Sequence, residues 1–381
     1  VNLPPYKLIT SQQEWETCLA ALNQHQQVAI DLEANSMYAY REQVCLIQIS
    51  IPTQDYIVDP LYVPDLGGLG LLLQNPEIEK IFHAAEYDLT LLKNQFDWEL
   101  TNLFDTMWAA RILGYPRYGL ASLLEELYNI EMDKRYQRSN WCKRPLSPEQ
   151  LIYAQLDTHH LIQLREHLWR ELQEAGRTVE ALEIFAEQTH IKGNHREFNP
   201  EGFWHLSGAY DLNRTQQAVL KELYNFREEE AERRDQPLFK VFSDRTLLEC
   251  AQYLPNDHFS LRKIHGMSSG QVRRYGTQIL RLVAQAKENP PPPFPTRTKR
   301  PPDAVSFRYD MLHTWRKELA KERGVESDVI MSRDALWAIA WQNPQSLEEL
   351  AQIEEIGVWR CGTYGADLIR LLTKRAQKSP S

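Results

Sequence analysis

The amino-acid sequence predicts an α/β domain with a mixed sheet, followed by two small all-α domains. Three observations carry this reading. Short β-rich runs alternate with helical patterns over residues 1–190. A proline-rich stretch then breaks the chain, and the segments on either side of it repeat one another.

The β-rich runs are Val28 to Glu33, Val44 to Ser50, Tyr56 to Asp59 and Lys80 to His83; helical patterning covers residues 11–24, 86–95, 105–113 and 147–175. Ser11 and Glu14 fit a capping box ahead of the first helix. Three strands close together, then strands alternating with helices, indicate a mixed sheet. A soft boundary lies at residues 188–210, where Gly193, Pro200 and Gly202 interrupt the helical pattern. Residues 208–288 are expected to form the first helical domain, 289–303 a linker and 304–377 the second helical domain. Seven prolines within residues 290–302 exclude a helix or an interior strand there and give polyproline II character.

The two helical segments match in ungapped register at an offset of 89 residues. Leu223, Phe226, Arg227, Glu229, Ala231 and Arg234 correspond to Leu312, Trp315, Arg316, Glu318, Ala320 and Arg323. Farther on, Ser243, Leu247, Ile264, Tyr275 and Gly276 correspond to Ser332, Leu336, Ile353, Tyr364 and Gly365. Apolar residues at three- and four-residue spacing make each copy a set of short helices. Arg227 and Arg316 are read as structural, their stems packed inside each copy.

The net charge of -9 is unevenly divided. Residues 1–190 hold 14 Lys+Arg against 27 Asp+Glu, and residues 191–381 hold 29 against 25. An acidic half suits cation coordination and a mildly basic half suits phosphate binding. No stretch approaches the ~20 apolar residues of a membrane span, and the first residues lack a basic segment followed by an apolar run, so a cytoplasmic protein without a membrane segment is expected. The five cysteines lie far apart with no CxxC pair, which argues against a disulfide framework or a thiolate zinc site and for buried small hydrophobes.

Asp31 and Glu33 lie two apart on an otherwise apolar strand, so both side chains leave the same face. Burying two carboxylates side by side is costly unless a cation joins them; a solvated strand face is the alternative. Asp88 falls near a helix start, where the dipole alone could account for it. Ser147, Pro148 and Gln150 specify a helix start that places Tyr153 and Asp157 four apart on one face. That pair serves either chemistry or a helix-anchoring hydrogen bond.

In order and spacing these pieces resemble the DEDD family of 3′-5′ exonucleases, in the branch with tyrosine in its third motif, and within it the ribonuclease D group. The motifs are AIDLEANS with Asp31 and Glu33, FHAAEYDLTLL with Asp88, and YAQLD with Tyr153 and Asp157; the stretch from Asp133 to Ala154 is also similar to the group's lead into its third motif. The helical repeats resemble the helicase-and-ribonuclease-D (HRDC) modules, of which that group has two. One departure is Thr158-His159-His160, where the resemblance leads to an aliphatic and an aromatic residue. It puts substrate fit near this helix in question rather than catalysis. His159 and His160 are not expected to be ligands, because oxygen-only sites suit magnesium or manganese.

The resemblance implies a ribonuclease H-like exonuclease domain and hydrolysis with two divalent ions, Mg2+ or Mn2+, about 3.5–4 Å apart. It implies that Asp31 bridges the ions, that Glu33 and Asp157 complete the first site and that Asp88 holds the second, while Tyr153 orients the attacking water. The substrate would be RNA with a free 3′ end, such as tRNA precursors and other small structured RNAs, shortened to nucleoside 5′-monophosphates by a monomer. Lys263, Arg273 and Arg274 are candidate RNA contacts, with solvated surface charge as the alternative. Two rivals stay open: a DNA 3′-5′ exonuclease with the same site, and a catalytically dead nucleic-acid-binding protein. The presence of all five motif residues weighs against the second.

Overall fold

The computed structural model describes residues 3–193, 197–296 and 300–373. Residues 1–2 of the expected first domain, 194–196 of the soft boundary, 297–299 of the linker and 374–377 of the second helical domain lie outside the described residues. The described chain forms two compact units. Of the described residues, one comprises 3–33, 44–193 and 300–373; the other comprises 34–43 and 197–296.

In the first unit the strands are β1 (Lys7–Ile9), β2 (Gln27–Ala34), β3 (Val44–Ile51), β4 (Gln54–Val58), β5 (Glu79–Phe82) and β6 (Leu103–Asp105). They form a six-stranded sheet in the order β1-β4-β3-β2-β5-β6. It is mixed: β3 and β4 pair antiparallel, while β1 with β4, β2 with β5, and β5 with β6 are parallel. β3 is buried along its whole length, as expected of a central strand covered on both faces. β1 and β6, three residues each, were not evident in the sequence because so short a run shows no alternation.

The helices are α1 (Gln12–Leu22), α2 (Gly67–Gln74), α3 (Glu86–Phe96), α4 (Thr106–Leu113), α5 (Leu120–Tyr128), α6 (Pro148–His159), α7 (Leu161–Glu174) and α8 (Thr178–Thr189). α1 begins at Ser11, whose hydroxyl accepts from the Glu14 amide while Glu14 reaches back to it. The single helix expected over 147–175 is two: His160 (φ -97°, ψ -2°) leaves helical geometry between α6 and α7, although the apolar spacing runs through the break. Leu161, Leu164, Leu168 and Leu172 of α7 pack with Ala109, Ala110 and Ile112 of α4 and with Ile184 and Phe185 of α8 beside the sheet.

The cysteine expectation needs correction. Cys45 on β3 and Cys142 are joined by a disulfide, with Cα atoms 4.9 Å apart across 97 residues of sequence. Folding of the segment ahead of α6 over the sheet brings them together, and spacing along the chain carries no trace of that. Cys18 and Cys250 are buried thiols, as expected, and Cys361 is partly buried.

The second unit holds α9 (Arg214–Arg233), α10 (Leu238–Val241), α11 (Asp244–Tyr253), α12 (His258–Leu261) and α13 (Ser269–Glu288) around one apolar core. Residues 34–43 join it: Tyr40 donates to Glu228 at 2.7 Å, and Lys240 lies over the Tyr38 ring. Asn289 to Thr296 have neither helix nor strand, and Phe294 packs on Trp204 and under the Arg214 guanidinium. The other helical set, α14 (Asp303–Arg323), α15 (Ser327–Ile330), α16 (Arg333–Gln342), α17 (Leu347–Leu350) and α18 (Val358–Thr373), has its own core within the first unit. Among the described residues no helix is long and apolar enough to cross a membrane.

Candidate active site

β2 pairs with β5 through Ala29 and Ile81, so Asp31 and Glu33 lie beyond the paired stretch, level with the turn from β5 into α3. That turn leads to Asp88, buried in the first turn of α3. α6 packs against β3 and β4 and brings Tyr153 and Asp157 to the same place. Carboxylate oxygens of Asp31, Glu33 and Asp157 lie within 4.8 Å of one another. Asp88 is close enough that its charge bears on Glu33, and the charges of Asp31 and Asp157 bear on it.

Burial lifts the Asp31 carboxyl to about 7. Burial, then repulsion from the neighbouring carboxylates, holds Glu33, Asp88 and Asp157 well above the usual range. So dense a group of acids is stable as anions only with compensating positive charge. Tyr153 is pushed up as well, first by burial and then by Asp157, Glu33 and Asp31, so its hydroxyl stays neutral and able to donate. Its ring packs near Trp141 and Tyr136, at 6.0 and 6.3 Å between centroids.

α6 is set by its start and by its packed face. Ser147 and Gln150 form a full capping box with Pro148 at the first helical position, as the sequence indicated. The departure at Thr158 and His159 is taken up in packing. His159 Nδ1 lies 2.8 Å from Asp55, Gln155 donates to the same carboxylate at 2.6 Å, and Ser50 donates to it at 2.7 Å while meeting Thr158 at 2.8 Å. Burial pushes Asp55 up, but hydrogen bonds from His159, Gln155 and Ser50 outweigh it and hold the carboxyl below its ordinary range. This network fastens the helix of Tyr153 and Asp157 to the β3-β4 hairpin. Neither His159 nor His160 belongs to the gathered carboxylate group.

Sequence reasoning missed the supports of this site. Arg144 binds Asp59 through two nitrogens, at 2.5 and 2.8 Å, and donates to the carbonyls of Trp141 and Cys45. With the nearby disulfide it holds buried Trp141 beside Tyr153. The stretch around Arg144 stood out only by resemblance, because its partners on β3 and after β4 are distant in sequence.

Lys263, Arg273 and Arg274 lie in the second unit, all three exposed. Lys263 Nζ sits 4.4 Å from the centroid of the exposed Phe259 ring. Arg227 and Arg316 are buried and donate to backbone carbonyls, as their structural reading required.

Family models agree with this arrangement. A 3′-5′ exonuclease model matches residues 6–173, and an HRDC domain model matches residues 216–283 and 308–372. The chain is 30% identical to a ribonuclease D of Gluconacetobacter diazotrophicus over 97% of this chain and 93% of that one. It is 30% identical to a ribonuclease D of Pseudomonas paraeruginosa over 91% and 92%. The crystal structure of Escherichia coli RNase D, described as an exoribonuclease involved in structured RNA processing, matches 99% of this chain and 100% of its own, with TM-score 0.68 and 26% identity. With the exonuclease motifs in order and an HRDC pair behind them, the chain belongs to the ribonuclease D family of 3′-5′ exoribonucleases.

Proposed function

We propose that the chain removes nucleotides one at a time from the 3′ end of structured RNAs, tRNA precursors among them, and releases nucleoside 5′-monophosphates with the help of two divalent cations. The observation that carries this reading is the convergence of Asp31, Glu33 and Asp157 with Asp88 beside them. The donor set is all carboxylate, which suits Mg2+ or Mn2+, and its repulsion is what a pair of dications relieves. Asp31, Glu33, Asp88 and Asp157 would hold the ions, whose charge stabilises the attacking and leaving oxygens of an in-line displacement at phosphorus. Tyr153 donates from a neutral hydroxyl and holds the water in line; Trp141 and Tyr136 hold its ring. In the first helical copy, Lys263, Arg273 and Arg274 meet RNA phosphates, with Phe259 offering a face for a base. The protein works as a monomer, with the exonuclease domain at 1–190 and the helical domains at 208–288 and 304–377.

A time course on a 3′-extended tRNA and a matched single-stranded DNA, with Mg2+, Mn2+ or chelator, tests this. The expected result is metal-dependent shortening of the RNA from its 3′ end with release of 5′-monophosphates. Preference for DNA would keep the chemistry and overturn the substrate; cleavage of neither would overturn both.

A further inference from the structure

Asp105 ends β6 and starts α4, and its side chain is almost wholly buried. Oδ1 accepts from the amides of Met107 at 2.9 Å and Trp108 at 3.2 Å, which caps α4. The same carboxylate also reaches across to the turn after β5. Oδ1 accepts from the Ala84 amide at 3.1 Å, and Oδ2 accepts from the Ala85 amide at 2.8 Å. The next residue, Thr106, donates to the Phe82 carbonyl at 3.0 Å and meets His83 Nδ1 at 2.9 Å. Asp105 and Thr106 therefore grip all four residues from Phe82 to Ala85.

Those four residues launch α3, which has no side-chain cap of its own. Ala84 sits in the left-handed region (φ 63°), which a residue with a Cβ adopts only when its surroundings impose it. Three residues after Ala85 comes Asp88, near enough to Asp105 for the two carboxylates to repel. Four amides occupy the Asp105 oxygens, so its role toward the metal site runs through the backbone.

We propose that Asp105 is a positioning residue for the exonuclease site: it clamps the Ala84-Ala85 turn and so sets where Asp88 presents its carboxylate. This rests on the reading of Asp88 as a metal-holding group. Burial without hydrogen bonding would make an anion here costly, and the amides that hold it are the ones whose placement matters.

Two substitutions separate capping from clamping. Asp105→Ser keeps a hydroxyl that can cap α4 but is too short to reach Ala84 and Ala85. Asp105→Asn keeps the shape and one acceptor oxygen, which can still take the Met107, Trp108 and Ala84 amides, but its amide nitrogen cannot accept from Ala85. In the full chain, kcat and KM on a 3′-extended RNA, Mn2+ binding by calorimetry and amide exchange are measured for both. Asp105→Ser is expected to lower kcat by about tenfold or more with KM within about twofold, to weaken Mn2+ binding by about tenfold, and to speed exchange in residues 82–88 but not in α4. Asp105→Asn should fall between it and wild type, and excess Mn2+ should restore part of the lost kcat.

Wild-type kcat and Mn2+ affinity in both variants, or exchange raised equally across the protein, would overturn the proposal, as would loss of the folded state in both. Asp88→Ala serves as the reference. If it keeps full turnover, the reading of Asp88 fails; if it is inactive while the Asp105 variants match wild type, only the role given to Asp105 fails.

Discussion

The two helical copies share a framework and use it for different ends. In each, a buried arginine donates to the carbonyl fifteen residues on: Arg227 to Phe242 and Arg316 to Met331. Ser243 and Ser332 cap equivalent helices. Gly276 and Gly365 let the short helix before them approach closely; a Cβ there would meet His258 at 3.0 Å in one copy and Leu347 at 2.7 Å in the other, and these are themselves equivalent positions. The copies part at the start of their last helix. Ser268 caps α13 with its own hydroxyl, accepting from Gln271. The matching residue is Gly357, where a Cβ would strike Glu183 at 1.9 Å, and Glu183 of α8 accepts from the amides of Trp359 and Arg360 instead. The second copy has handed its helix cap to the exonuclease domain.

Neighbouring differences agree. Gln271 donates to the Val241 carbonyl; its counterpart Arg360 makes the equivalent bond to Ile330 and also pairs with Glu183 and Glu187. Arg234 pairs with Glu230 inside its own copy, whereas Arg323 donates twice to buried Glu180 of α8. Pro237 and Phe239 correspond to Glu326 and Asp328, which receive Arg111 of α4. Surface charge moves the opposite way: residues 214–288 hold 13 Lys+Arg against 10 Asp+Glu, and residues 303–373 hold 8 against 12. Lys263, Arg273 and Arg274 correspond to Gln352, Gly362 and Thr363. One copy keeps a basic, aromatic face, and the other has become a brace for the exonuclease domain.

The largest effect should come from the brace. Arg360→Ala strands Glu183 and Glu187 and should cost about 3–5 kcal/mol in urea unfolding, against about 0.5–1.5 kcal/mol for Gln271→Ala. Equal losses would mean that the second copy is no more committed to docking than the first. A smaller effect should be symmetric. Arg227→Met and Arg316→Met each leave a buried carbonyl without its donor and should cost about 1–3 kcal/mol apiece; a clear inequality would break the shared framework. The smallest concerns the exposed face. Replacing Lys263, Arg273 and Arg274 by alanine should leave melting unchanged and make the salt dependence of RNA binding shallower by about 2 in log-log slope, while Gln352→Ala with Thr363→Ala changes neither. An unchanged slope in the triple variant would move the RNA contact elsewhere.

What the sequence disclosed depended on how local the signal was. Asp31 and Glu33 could be read from strand alternation, and the start of α6 from Ser147, Pro148 and Gln150, because each pattern lies within a few residues. Asp88 looked like an ordinary helix-start acid, and only resemblance singled it out. The repeat was visible because equivalent residues sit at a constant offset. Glu180, Glu183 and Glu187 lie at helical spacing on α8, and no local pattern marks the arginines they meet more than 140 residues away. Asp55, Asp105 and the Cys45-Cys142 bridge were hidden for the same reason, since what defines them is a partner distant in sequence.

The most direct test is the rate of 5′-monophosphate release from a 3′-extended structured RNA by wild type, Asp31→Ala and Tyr153→Phe across a Mn2+ titration, with RNA affinity measured alongside. The account predicts that Asp31→Ala is inactive at every Mn2+ concentration yet folded and able to bind RNA, and that Tyr153→Phe loses turnover far more than affinity. Wild-type release by Asp31→Ala would contradict it.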